Sequence, residues 1–270
     1  TNTAFLDSAL IAWSGIVTGL NGYIFFQTTN SWAPTDLRMV SNALLGLPPE
    51  TRMQITNDLT LMATGGITVC THAELTCDRN LTLLDGSSLI IQAGITNTVY
   101  TNSYGARVTV VQTLTLASNA WVYPFSESTN GGSVLLQVAD LEIQNGGGIN
   151  AEGRGYARVT GPGRGTSKAS GNGGGGAGGY GGKGGAGTNS IAGGNPYGMT
   201  NAPLDPGRGG GNGAGGTGGH GGGLIWIEAT GNIRLDGTLS ASGAPGNSGT
   251  WGGGGGGSGG AIHIRCGAFR

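Results

Sequence analysis

Residues 175–187 repeat a unit of two glycines followed by one other residue: Gly-Gly-Ala, Gly-Gly-Tyr, Gly-Gly-Lys, Gly-Gly-Ala and a final Gly. A period of three fits neither the period of an α-helix, about 3.6 residues, nor that of a strand, about 2. It matches the roughly three residues per turn of a polyproline-II-type helix. Glycine at two of the three positions lets neighbouring backbones approach closely on two faces.

Three tracts carry this composition: Gly171–Gly187, Gly207–Gly223 and Gly252–Gly260. A polyproline-II-type helix has no internal hydrogen bonds, so its N–H and C=O groups need water or neighbouring chains. We therefore predict a bundle of polyglycine-II helices; a flexible linker is the alternative. The glycines expected to pack most closely are Gly178, Gly179, Gly181, Gly182, Gly215, Gly216, Gly218 and Gly219.

These triplets resemble the polyglycine-II bundles of springtail antifreeze proteins and of the glycine-rich extracellular region in the anaplastic lymphoma kinase family of receptors. The resemblance covers the glycine tracts only. It implies an architecture and no activity.

A second repeat alternates apolar and polar residues. Its copies are Asp58-Leu59-Thr60-Leu61, Asn80-Leu81-Thr82-Leu83, Thr113-Leu114-Thr115-Leu116, Asp140-Leu141-Glu142-Ile143 and Asn232-Ile233-Arg234-Leu235. The period of two predicts strands with the leucines and isoleucines facing inward. Uneven spacing between copies indicates insertions between the turns of a β-solenoid.

Each copy is followed by a second short alternation: Ile67 and Val69, Leu89 and Ile91, Trp121, Ile149 and Ala151, then Leu239 and Ala241. A third strand is expected at 108–110, 134–136, 224–227 and 261–264. Three strands per turn predict a mainly β fold, a right-handed parallel β-helix with inserted polyglycine-II helices. Over residues 57–270 the pattern resembles secreted, repetitive bacterial surface proteins of the parallel β-helix type.

The predicted organisation is an N-terminal segment at 1–56, β-helix turns at 57–154, a polyglycine-II insertion at 155–223, and final turns at 224–270 with a glycine segment at 246–260. Within the first segment, 4–17 is interpreted as a helix or strand, 22–27 as a strand, and 36–47 as a helix ended by Pro48. We interpret this segment as a cap, an assembly element, or both. Its candidate docking residues are Phe5, Leu10, Ile11, Trp13 and Ile16.

Composition limits the partners. Only 10% of the 270 residues are charged and the net charge is −1, so long-range attraction to nucleic acid is not expected. The chain starts at Thr1, which is interpreted as a mature secreted product, and polar residues interrupt 4–26, so no membrane span is predicted. Cys70 and Cys77 are candidates for a disulfide in an oxidising compartment, which leaves Cys266 unpaired.

The resulting hypothesis is an extracellular structural protein that self-assembles with identical subunits into a filament or surface layer, with cell-surface polysaccharide considered as a further partner. We predict no enzyme activity, cofactor or metal site, since His72, His220 and His263 are scattered. Two alternatives remain open. Thr60, Thr82 and Thr115 suit an ice-binding ladder, whereas carboxylates shared between turns suit a polysaccharide-acting enzyme or a carbohydrate-binding adhesin.

Overall fold

Strands supply the regular secondary structure. The computed structural model describes residues 10–13, 16–25, 33–168, 171–199 and 201–270, and for 10–25 only the backbone. These residues form eighteen strands of one sheet, without a helix among them and hence without a helix that could span a membrane. The strands are β1 (Leu10–Trp13), β2 (Ile16–Phe25), β3 (Asp36–Leu47), β4 (Arg52–Ile55), β5 (Leu59–Leu61), β6 (Gly66–Val69), β7 (Glu74–Cys77), β8 (Leu81–Leu83), β9 (Ser88–Gln92), β10 (Ala106–Leu116), β11 (Trp121–Phe125), β12 (Val134–Ile143), β13 (Gly148–Asn150), β14 (Leu224–Ala229), β15 (Asn232–Leu235), β16 (Thr238–Ser240), β17 (Ala261–Arg265) and β18 (Ala268–Phe269).

The strands pair in three ladders that the chain visits in a fixed order. The first ladder contains β4, β7, the first half of β10, the first half of β12, β14 and β17. The second contains the first halves of β2 and β3, then β5, β8, the second halves of β10 and β12, β15 and β18. The third contains the second halves of β2 and β3, then β6, β9, β11, β13 and β16. Every pairing is parallel except that of β1 with β2.

The register of the second ladder confirms the leucine repeat. Its Cα partners are Leu59 with Leu81, Leu81 with Leu114, Leu114 with Leu141, and Leu141 with Ile233. The strands stay aligned although the intervening lengths differ. A one-residue slip would turn every inward side chain outward, so burial of this face fixes the register.

The helix expected at 36–47 is wrong, because these residues form β3. Leu37 pairs with Leu59 and Leu45 pairs with Ile67, so the ladders extend to the N-terminal side of residue 57, where the repeat was expected to begin. Positive φ angles at Ser41 (52°) and Asn42 (64°) lie between the two halves of the strand. The bend shifts the alternation of buried residues, and this shift resembles a helical period in the sequence.

A second correction concerns the third ladder. Val122, not Trp121, occupies the inward position there, paired with Leu89 and Ile149. Trp121 faces outward and lies over Gly148, where an added Cβ would come within 2.7 Å of Trp121 Cζ3. The first-ladder strands β4 and β7, each of four residues, were not predicted from the sequence.

The inward side chains form one continuous apolar core.

A column of Asp and Asn residues lies where the chain passes from the first ladder to the second. Asn80 donates from its backbone N and its Nδ2 to Asp58 Oδ1, both at 3.1 Å. Asn232 donates from its backbone N to Asp140 Oδ1 at 2.6 Å. These Asp side chains satisfy backbone N–H groups that the turns would leave unpaired.

Truncation of one inward leucine tests this packing. Leu114 is fully buried, so we expect Leu114→Ala to lower the free energy of unfolding by about 2 to 5 kcal/mol through lost apolar burial and a residual cavity. Urea denaturation followed by circular dichroism measures the change. Thr115→Ala, on the outward face of the same strand, is the matched control; equal losses from both variants would contradict the inward assignment.

Candidate functional site

The glycine tracts are joined by backbone hydrogen bonds that recur every third residue. Two runs, 207–213 and 216–223, lie antiparallel. The N–H groups of Gly207, Gly210 and Gly213 donate to the carbonyls of Gly222, Gly219 and Gly216. A spacing of three differs from the two-residue spacing of a sheet ladder, and it satisfies backbone groups that no strand or helix pairs.

The same spacing connects these runs to the rest of the tracts. In one set, Gly216, Gly219 and Gly222 donate to Gly252, Gly255 and Ser258; in a second, Gly254, Gly257 and Gly260 donate to Asn247, Ala244 and Ala241. In a third, Gly175 and Gly178 donate to Gly253 and Gly256. The described residues of 155–223 and 241–260 therefore form one hydrogen-bonded body, here named the glycine layer.

Several of the glycines selected from the sequence lie where only glycine fits. A Cβ at Gly178 would come within 2.5 Å of the Arg208 carbonyl oxygen, and a Cβ at Gly216 would come equally close to the Asn247 oxygen. The overlap is greater still at Gly179, Gly218 and Gly219, each against a backbone carbonyl oxygen. Direct backbone contact therefore explains the composition at these positions.

The other three selected glycines are less confined. At Gly181 and Gly182 an added Cβ meets no atom within 4 Å, since this turn of the layer is exposed. Gly215 has a φ of 110°, which L-residues rarely adopt, and a Cβ there would lie 3.4 Å from the Thr250 backbone N. The backbone conformation at Gly215 is therefore the main reason for glycine there, because an added Cβ would still find room.

Arg208 lies within the glycine layer with no exposed surface. Its guanidinium carbon is 4.0 Å from the centroid of the Tyr156 ring and 3.6 Å from that of Tyr197. Its Nε donates to the Pro162 carbonyl at 3.2 Å, and Asp205 Oδ1 lies 4.0 Å from one terminal nitrogen. One terminal nitrogen of the guanidinium has no hydrogen-bond partner within the described residues. The remaining partners join three chain segments, because removing any of them would leave the buried charge still less compensated.

The ionisation of this cluster reflects its burial. Desolvation raises the pKa of Tyr197 to about 12, assisted by the hydrogen bond that Tyr197 donates to Asp205 at 2.9 Å. Burial also raises the pKa of Tyr156, whose hydroxyl donates to the Asn130 carbonyl at 2.7 Å. Desolvation lowers the pKa of Arg208, but an arginine remains charged in proteins. The cluster is thus one cation between two neutral phenols, with a carboxylate at its edge.

A second, smaller apolar cluster attaches the glycine layer to the outer face of the first ladder. Its buried members are Leu135, Leu224, Trp226 and Ala261. Tyr104, Tyr180 and Leu204 pack against them from loops. Glycines lead directly into β14 and β17 at this cluster, so the layer and the sheet share their strands.

The C-terminal end of the sheet leaves core positions uncovered. Ile262 pairs with Ile225 and Phe269 pairs with Ile233, and both partners belong to the buried core. Ile262 is nevertheless 43% exposed and Phe269 is 54% exposed. No described strand pairs with the outer edges of β16, β17 and β18. This end therefore presents apolar side chains and unpaired backbone together.

The N-terminal end differs. Leu37, Met39, Met53 and Ile55 are at most 1% exposed, so the core is covered there. Among the described strands β1 pairs only with β2, and its other edge is open. The candidate docking residues Leu10, Ile11 and Trp13 lie in β1 and Ile16 begins β2, whereas Phe5 lies outside the described residues.

The cysteines carry free thiols. Cys70 follows β6 and Cys77 ends β7, and the disulfide considered between them is not formed in the structure. Cys77 is buried, and this burial raises its pKa to about 11. Its Sγ contacts the carbonyl oxygens of Asn80 at 3.1 Å and Asn57 at 3.3 Å. The thiol therefore serves as a core residue.

Sequence reasoning missed the clusters that unite distant residues. Nothing in the glycine-rich surroundings of Arg208 marks a buried cation. The grouping of His72 with Glu74 and Tyr100 was also missed. His220 lies in the glycine layer and His263 in β17, and across the described residues no three His, Cys, Asp or Glu side chains are grouped as metal ligands.

No protein-family model, curated protein or solved structure matches this chain. No family can therefore be assigned.

Replacing single glycines by alanine tests whether close backbone packing requires glycine at those positions. We expect Gly219→Ala to disrupt the glycine layer, since its Cβ would overlap the Ala244 carbonyl, at a cost of about 1 to 3 kcal/mol. Faster amide hydrogen exchange in 207–223, measured by mass spectrometry, would report the change. Gly182→Ala is the control, because its Cβ enters open space; equal exchange in both variants would contradict this packing.

The raised pKa of Tyr197 predicts a loss of stability in alkali. The folded state holds its proton more tightly than the unfolded state, so the stabilisation is complete below the unfolded value of 10.0 and is lost as pH rises through about 12. Urea denaturation at a series of alkaline pH values measures this slope. We expect Tyr197→Phe to flatten it, and an unchanged slope in that variant would assign the effect to other groups.

Proposed function

We propose that this chain is an extracellular structural protein whose copies assemble end to end into a filament. The observation that carries the proposal is the uncovered C-terminal end, where core-facing Ile262 and Phe269 are exposed beside unpaired strand edges. Its partner in the proposal is the open edge of β1 in a second copy. The low charged fraction, 10%, leaves little electrostatic repulsion between copies.

The architecture proposed for the subunit is a right-handed parallel β-helix with packed polyglycine-II helices. Repeated passage through three parallel ladders in the same order supports the first element, and parallel crossovers are right-handed in about 98% of cases. Hydrogen bonds at every third residue of the glycine layer support the second, since polyproline-II-type chains have about three residues per turn.

The placement of the two ends favours head-to-tail contact. The second ladder ends in β18 at the C-terminal side and in β1 at the other side, so the two open edges belong to one ladder. Contact between different surfaces of identical copies produces an open filament when the rotation does not close a ring. Pairing of β18 with β1 would also bury the apolar end and satisfy backbone groups at both edges.

Ice binding is the second candidate. Thr60, Thr82 and Thr115 pair in register and face outward, as an ice-binding ladder requires. Arg38 and Glu142 continue the same column on either side, so the uninterrupted run of threonines is limited to three strands. Microscopy of ice crystals grown with the purified protein separates this candidate from assembly, which requires no shaping of ice.

A double substitution at the open end tests assembly. We expect the wild-type chain to form concentration-dependent polymers, and Ile262→Lys with Phe269→Lys to abolish them, because two charges replace the apolar contact. Sedimentation velocity and negative-stain electron microscopy give the distributions. Val111→Lys is the control, since Val111 is 54% exposed on the side of the sheet. A monomeric wild-type chain at all concentrations, or polymers of the double variant, would overturn the proposal.

A further inference from the structure

A small cavity lies between β4, the start of β7 and the loop that precedes β10. Its volume is about 210 Å³. The side chains lining it that could bind a ligand are Glu50, Arg52, His72, Glu74, Tyr100 and Asn102. Charged, aromatic and amide groups thus converge here from segments far apart in the sequence, outside both the core and the open end.

His72 is held in an unusual conformation at this cavity. Its φ is 58°, in the left-handed region that a residue with a side chain seldom occupies. Its ring stacks on Tyr100, with centroids 3.7 Å apart, and its Nε2 donates to the Ile95 carbonyl at 2.9 Å. A Cβ at Gly94 would overlap the imidazole ring, so the missing side chain there leaves room for it.

The two carboxylates of the cavity are fixed by their neighbours. Glu74 accepts a hydrogen bond from Arg107 at 3.0 Å and lies 3.6 Å from Arg52 Nε. Glu50 accepts from the Tyr100 hydroxyl at 2.6 Å. Each ionised carboxylate can accept about four hydrogen bonds, so both retain capacity for a ligand that donates. Arg52, 78% exposed in its side chain, and Asn102 can donate in return.

We propose that this cavity binds one uncharged sugar residue of a polysaccharide. A sugar hydroxyl both donates and accepts hydrogen bonds, so it can pair with carboxylate, guanidinium and amide groups alike. The C–H face of a sugar ring can also pack against an aromatic side chain such as Tyr100. The volume is below the range of about 300 to 1,000 Å³ typical of drug-sized ligands, which restricts the occupant to a single ring. The two carboxylates are balanced by the guanidinium groups of Arg52 and Arg107, so the site carries no net formal charge, which suits an uncharged ligand.

The arrangement favours binding over cleavage. Glycoside hydrolysis needs one carboxyl group that gives a proton and a second that acts as base or nucleophile. Glu74 is already paired with two guanidinium groups, that of Arg107 at 3.0 Å and that of Arg52 at 3.6 Å, so it is not free to take either of these parts. The site would therefore attach the protein to a glycan without breaking it, and this inference does not depend on the assembly proposed above.

A printed glycan array tests the proposal, using the full chain and neutral, N-acetylated and acidic oligosaccharides as probes. We expect the wild-type chain to retain neutral or N-acetylated glycans. Glu50→Gln and Tyr100→Ala should each raise the dissociation constant for the retained glycan about tenfold, since each removes a hydrogen-bonding or packing group. Titration calorimetry with that glycan measures the change.

Glu142→Gln is the matched control, because Glu142 lies in the second ladder, away from the cavity. Thermal unfolding must give the same midpoint for every variant compared, and Asn102→Ala replaces any variant that fails this condition. Retention of no glycan, or of acidic glycans alone, would overturn the proposal. Equal affinity of the wild type and the cavity variants would also overturn it. The variant Ile262→Lys with Phe269→Lys should bind as the wild type does, which separates this test from that of assembly.

Discussion

Backbone hydrogen bonding between segments that lie side by side is the interaction on which the whole structure depends. In the sheet, parallel pairing provides it and buried leucines such as Leu81 and Leu114 fix the register. In the glycine layer, bonds at every third residue provide it without an apolar core between the segments. Both parts satisfy the same requirement for buried backbone groups. The sheet, however, requires apolar side chains at its inward positions, whereas the glycine layer requires glycine, which has no side chain.

The cluster of Arg208 with Tyr156 and Tyr197 supplies side-chain contacts to a glycine layer that has few of them. Glycine segments have few side chains that could fix how neighbouring runs lie together. The cation of Arg208 lies between Tyr156 and Tyr197, and its backbone N–H donates to Ser258 Oγ at 2.7 Å. It therefore joins runs that are held mainly by backbone hydrogen bonds. Burying a charge is costly, so its complete enclosure fits a role in positioning the segments.

The sequence allowed prediction of the parts that depend on local periodicity. The leucine copies at 59, 81, 114 and 141 lie in register, and the glycine tracts bond at the period read from their triplets. Prediction failed at 36–47, where a bend at Ser41 interrupts the alternation of β3. It also failed for the cavity, since Tyr100 and Glu50 are 50 residues apart and neither occupies a repeated position. Such contacts depend on how loops return to the sheet, which periodicity does not encode.

The long excursion between β12 and β15 has a consequence for how the molecule forms. Arg234 meets Glu142 across 92 residues, so the sheet cannot be completed by adding strands that follow one another closely in the chain. Closing a longer loop costs more entropy, and distant contacts slow folding. During synthesis, β12 keeps an exposed edge until residues 155–223 and β14 have emerged, which is the stage at which a nascent chain can pair with the wrong neighbour. The length of the 155–223 part of the glycine layer thus sets the duration of that vulnerable stage.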